Sequence, residues 1–334
     1  ASLLFVVLSA LALGFHTMPK SFFESSANQQ YGPPLDPDSV QWYPDGKTES
    51  DGSITYEWTE LNPEKDIPFS YKKISDYKVL AGGKTSKASF SAVAKDKEEF
   101  DKLSTSKALN TTELGCDAVG LSHLSGIYGY IGYAVKAYGK DIAPSITQLL
   151  KDSPPKVTMK WPKEEGQDFD EVLSIGKTCT DGEAYYFNWA LKKSGVVDSA
   201  CIPNSGIPTD TSKCAGEAGK FQPQLKGYVQ GTIHEANTVR IKDALIHFGV
   251  VNVNEGAVQR DLLIGWDGSD WIAARELVDS EQRGLFSYAY VKVPINESKV
   301  YDEVNVIVNK VSSIRAALSF IFAAILIPEL SFFF

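Results

Sequence analysis

The order in which hydrophobic patterns follow one another constrains this chain more than any single motif in it. Between residues 120 and 150 apolar side chains are dense, and Leu121, Leu124, Ile127, Tyr128, Ile131, Tyr133, Ala134 and Ala137 recur at near-helical spacing. The spacing predicts a buried central helix. Residues 182–195 read as a second helix, and residues 232–248 as a third with Val239, Ile241, Ala244 and Leu245 on one face. After Gly249 the pattern turns strand-like, with VVNV, DLLIGW, DWIAA and FSYAYVKV separated by Asn-Glu-Gly, Asp-Gly and Gln-Arg-Gly turns. Helices first and antiparallel strands last predict an α+β protein with two lobes.

The flanking segments have a different character. Residues 15–75 are rich in Pro, Asp, Ser and Tyr, with Asp45-Gly46 and Asp51-Gly52 marking turns, so extended, loop-rich structure is expected there. Residues 88–104 pass from alternation to a charged helical pattern, and the Pro- and charge-rich residues 153–172 read as an inserted surface loop. A length of 334 residues accommodates one large two-lobed domain plus an extension, and 43% hydrophobic with 22% charged residues is globular material. A net charge of −9 leaves no basic stripe for phosphate neutralisation, which argues against a nucleic-acid partner.

Both ends speak to location. Residues 2–14 are an apolar run too short to span a bilayer, with the small residues Ala12 and Gly14 behind it, which predicts a signal peptide (1–14) cleaved after Gly14. Residues 316–334 are as apolar, and three readings compete: a GPI-attachment signal, a retained single-pass anchor, and a buried C-terminal helix. Either of the first two gives a secreted or cell-surface protein held at the membrane by its tail. Four cysteines, none in a CxxC pair, suit two disulfides better than zinc. Asn110-Thr111-Thr112 and Asn296-Glu297-Ser298 are glycosylation sequons, consistent with secretion. No metal or cofactor is expected.

Several words in this order resemble the papain family of cysteine peptidases. AYGKDIAPSITQLLKD at 137–152 is similar to its T-G-K turn and L-S-E-Q-x-L-x-D-C segment. Cys179-Thr180-Asp181-Gly182 with Lys193-Ser194-Gly195 resembles C-N-G-G and the later N-G-G, and residues 197–203 resemble the stretch ending in C-x-P-Y. Lys226-Gly227-Tyr228, Ile241-Lys242-Asp243-Ala244-Leu245, Phe248-Gly249-Val250-Val251, LLIGWDG at 262–268 and Asp270-Trp271-Ile272 resemble K-G-Y, I-K-x-A-L, G-P-V, L-x-V-G-Y-G and Y-W-I. Residues 284–293 match the closing G-Y-x-x-I strand, and LDPDSVQW at 35–42 faintly resembles the family's mature start. The likeness covers about residues 113–294 and implies a helical left lobe and an antiparallel β right lobe. It also implies disulfides Cys116–Cys179 and, around a short loop, Cys201–Cys214.

The chemistry, however, is gone from the aligned positions. A papain-type site needs a thiolate, an imidazole, an amide to orient it and an oxyanion donor. The nucleophile position falls on Val119 and the oxyanion-donor position on Glu113, whose carboxylate would repel an oxyanion. The imidazole position falls on Gln259 and the orienting amide on Arg275, followed by Glu276 and Leu277 where Ser and Trp are usual. The segment before residue 145 is about two residues long for the family, so Ser122 could replace Val119 at the helix start, without a base beside it. Other motifs fail sooner. Gly82-Gly83-Lys84-Thr85 has Lys78 where a phosphate loop needs its first glycine, His234-Glu235 has Thr238 where a zinc helix needs its second His, and His16, His123, His234 and His247 show no ligand spacing.

These observations predict a non-enzymatic papain-like domain at 109–294, with 15–108 an N-terminal extension that is either propeptide-like or an added β-rich region, and 295–315 a linker. Its cleft, with Gly182 as a backbone partner and Glu113, Gln259 and Arg275 as a polar floor in which Arg275 pairs with Glu113, would bind a peptide or protein partner. A structural role in a surface assembly is the second reading. The alternative is an active cysteine or Ser-substituted endopeptidase with a displaced nucleophile.

Overall fold

Alternating apolar residues after Gly249 do form strands, and they carry more of the chain with them than their own segment. The computed structural model describes residues 36–62, 66, 69–162, 170–180, 187–216, 220–253, 261–279 and 285–310. The chain runs β1 (Ser39–Trp42), β2 (Lys47–Thr48), β3 (Ile54–Glu57), β4 (Ser70–Lys73) and β5 (Ser89–Ser91), then α1 (Lys97–Lys102), α2 (Asp117–Leu124), α3 (Ile127–Ala137) and α4 (Ile146–Asp152). There follow β6 (Lys156–Lys160), β7 (Asp170–Ser174), α5 (Phe187–Ser194), β8 (Tyr228–Ala236) and α6 (Thr238–Phe248). The last part is β9 (Val251–Val253), β10 (Asp261–Asp267), β11 (Asp270–Asp279), β12 (Leu285–Pro294) and β13 (Tyr301–Asn309). The fold class is α+β.

Nine strands make the main sheet, in the order β12-β11-β10-β9-β13-β8-β1-β4, with β5 added beside β10. Every pairing in it is antiparallel. Period-two alternation sends neighbouring residues to opposite faces. Leu262 and Ile264 thus join a core with α2, α3, α4 and α5, while Leu263 joins a second core with α6. Val304, Val306 and Val308 of β13 fill the α6 side and Ile307 the other.

Several expectations change. The linker at 295–315 contains β13, which lies between β9 and β8 in the middle of the sheet. The extension at 15–108 contributes β1, β4 and β5 to the same sheet, so its described part is integral to the fold. The inserted loop at 153–172 supplies β6, whose Val157 and Met159 are wholly buried, and begins β7. These two join β2 and β3 in a second, four-stranded sheet of order β2-β3-β6-β7. The third helix starts only after Asn237, whose side chain accepts from the Arg240 amide at 3.0 Å, and the residues before it are β8.

The central helix is also three helices. Ser125 and Gly126 interrupt it, with Gly126 at φ +75°, a conformation glycine adopts without steric cost. A loop then precedes α4, where Ser145 caps by accepting from the Gln148 amide at 3.3 Å. Among the described residues no helix is long and apolar enough to cross a membrane. Residues 1–14 and 316–334 lie outside the described residues.

Candidate functional site

α2 opens immediately after Cys116, and its Ala118 amide donates to the Cys179 carbonyl at 2.9 Å. The Cys116–Cys179 disulfide therefore fixes the helix start to the loop before α5. Cys201 and Cys214 form the second bridge, and no described cysteine is free. Both pairings are those the resemblance implies, and two disulfides suit an extracellular or secreted protein.

Val119 follows on the first turn of α2 and is 0% exposed, one of the core residues packed between the helices and the sheet. Ser122 is 2% exposed and its hydroxyl donates back to the Val119 carbonyl at 2.8 Å. That proton is committed to the helix backbone. Glu113 lies in the short 3-10 turn before α2, where its carboxylate accepts from the Asn110 amide at 3.0 Å while Asn110 Oδ1 accepts from the Glu113 amide at 3.0 Å. This reciprocal arrangement is a capping box.

The carboxylate that Arg275 grips is Asp261 and not Glu113. Asp261 and Arg275 stand opposite each other on β10 and β11, and the guanidinium donates to both carboxylate oxygens at 2.8 and 2.7 Å. The ion pair raises the Arg275 pKa further above its ordinary value and keeps it charged. Gly182 and Gln259 lie outside the described residues. The polar floor is thus two local pairs, each satisfied within its own element or ladder. Asn110 and Asn296 are both exposed.

One constellation here had no local signature in the sequence. His123 of α2 is 0% exposed, and its Nδ1 lies 3.3 Å from Glu276 Oε1 on β11. The imidazole is ringed by Tyr128, Phe286 and Tyr288, with centroids at 5.5, 5.5 and 4.4 Å. Tyr288 also reaches α3, its hydroxyl accepting from the Gly129 amide at 3.0 Å. Burial pushes the His123 pKa below its ordinary value of 6.5, against the opposing pull of Glu276. The Nε2 atom is buried without a hydrogen-bond partner among the described residues. An imidazole held by a carboxylate supplies the base and its orienting group but not the nucleophile, and Ser122 is back-bonded while all described cysteines are bridged. His234 and His247 each have a carboxylate near, Glu303 at 3.5 Å and Asp243 at 3.7 Å. No group of three or more His, Cys, Asp or Glu side chains converges as a metal site among the described residues. Compared with known proteins, the chain matches no family model and no curated relative.

Proposed function

We propose that this chain is a non-catalytic papain-like protein of the secretory pathway or cell surface that holds a peptide or protein partner. The observation that carries the reading is Val119: directly after the Cys116–Cys179 bridge, where the resemblance sets a nucleophile, stands an aliphatic side chain enclosed in the core. Further support comes from the arrangement of the fold, with α2–α5 gathered on one face of the antiparallel main sheet, as a helical lobe beside a β lobe requires. β1 lies inside the main sheet, which suits a mature start at 35–42 better than a propeptide. The apolar tail at 316–334 would hold the protein at the membrane, through a lipid or a spanning segment.

A cleft that has lost its nucleophile can still bind an extended peptide by backbone pairing. The test has two arms on the purified full-length protein. An epoxide inhibitor directed at thiols should label nothing and a mixed peptide pool should stay intact. Peptides selected from a random library should bind saturably. Cleavage that disappears in Ser122→Ala would overturn the reading in favour of a displaced nucleophile, and a failure to enrich any peptide would leave a structural role.

A further inference from the structure

Two elements far apart in sequence meet at a buried titratable group. His123 sits on α2, Glu276 on β11 and Tyr288 on β12, so the imidazole is the point where helix, strand and edge hairpin touch. Neutral imidazole suits this enclosure. With a proton on Nδ1 it donates toward Glu276, and the bare Nε2 is buried without needing a partner of its own. A second proton would place an N–H on Nε2, where no acceptor exists among the described residues. We propose that His123 and Glu276 form an acid-sensitive latch that holds α2 against the β11–β12 hairpin at neutral pH and loosens when the imidazole takes a second proton.

The titratable groups around it do not supply another route. From β11 comes Glu276, the one carboxylate in contact among the described residues, 14% exposed. The adjacent Arg275 is matched by Asp261. From β12 comes Tyr288 and from α3 Tyr128, both held protonated because burial pushes their pKa far up. Glu113, from the turn before α2, and Asp198, after α5, reach the group only through their effect on Tyr128. Asp117 is the acidic residue in the first turn of α2 itself. Only Glu276 therefore opposes the effect of burial on His123.

Opening the latch exposes an imidazole that binds a proton more readily than the closed form does. Linkage then raises the opening equilibrium by up to about tenfold for each pH unit below the ordinary histidine value. The latch does not depend on the chain being a peptide binder, since it concerns only how α2 is held.

Hydrogen exchange of the purified full-length protein, followed by mass spectrometry at pH 7.4 and 5.5 and corrected for intrinsic rates, reads the effect locally. Exchange in peptides covering 117–128 and 286–290 should rise by several-fold at the lower pH, and His123→Gln should remove most of that rise. Unchanged exchange in the wild type, or a rise confined to peptides around His234 or His247, overturns the latch. So does an equal rise in His123→Gln. Should that variant fail to fold, the wild-type exchange map decides alone.

Discussion

At Gly265 of β10 a Cβ would lie 2.1 Å from the Phe90 carbonyl oxygen and 2.9 Å from Ser91 Cα, because β5 crosses there and the ladder shifts register between Leu263 and Gly265. Backbone cannot yield as a side-chain tip can, so Gly265→Ala should destabilise by about 1–3 kcal/mol. An unchanged denaturation midpoint would mean that β5 is not held there. Val119 leads to a different outcome. Val119→Cys should give neither peptide hydrolysis nor inhibitor labelling, because a thiol enclosed in apolar surroundings has its pKa raised, and the His123 imidazole one turn further along α2 is engaged by Glu276 and held neutral by burial. Restoration at 113, 119, 259 and 275 together would also break the Arg275–Asp261 pair, which predicts a less stable protein even if activity appears. Hydrolysis by the single variant would show that His123 or another base reaches residue 119.

The first strands after Gly249 were legible because their apolar residues fill two buried faces within one short segment, as Leu262, Leu263 and Ile264 do. β8 was not. Its residues lead straight into the helical pattern of α6, and the Asn237 cap that separates them is a single polar residue. β13 carries Val304, Val306 and Val308 at period two, but it lies beyond the last segment resembling the family, so the resemblance offers no strand to match it. Truncation before residue 301 should therefore abolish soluble folded protein, and a protease-resistant product ending near 294 would contradict the sheet order. Of the candidate site, the disulfides and the position of Val119 were legible only through the resemblance to the papain family. The His123–Glu276 pair spans 153 residues and left no local trace. The bridges should differ in weight. Loops of 13 and 63 residues predict losses of about 3 kcal/mol for Cys201→Ser with Cys214→Ser and about 4 kcal/mol for Cys116→Ser with Cys179→Ser on the chain-entropy model, readable by denaturant titration.

Across the whole molecule, His123, His234 and His247 all have pKa values pushed down by burial from 6.5. The unfolded chain then binds more protons than the native one as pH falls below 6.5. The stability they leave intact is fully present above that value and is lost on the way down to the depressed folded pKa values. Thermal midpoints should hold level near pH 7–8 and decline between about 6.5 and 5; a flat profile over that range would contradict the burial of these imidazoles. The sheet order has a mechanical side too. β13 is bonded to β8 from Tyr301 to Asn309 on one flank and to β9 at Val304 and Asn305 on the other, and Lys310 just beyond it is tied with Lys192 to Asp45. Tension entering at Lys310 would run lengthwise along an interior strand, whose bonds must shear together and cannot be unzipped one at a time. A tether at that end would thus load the molecule in its stiffest direction.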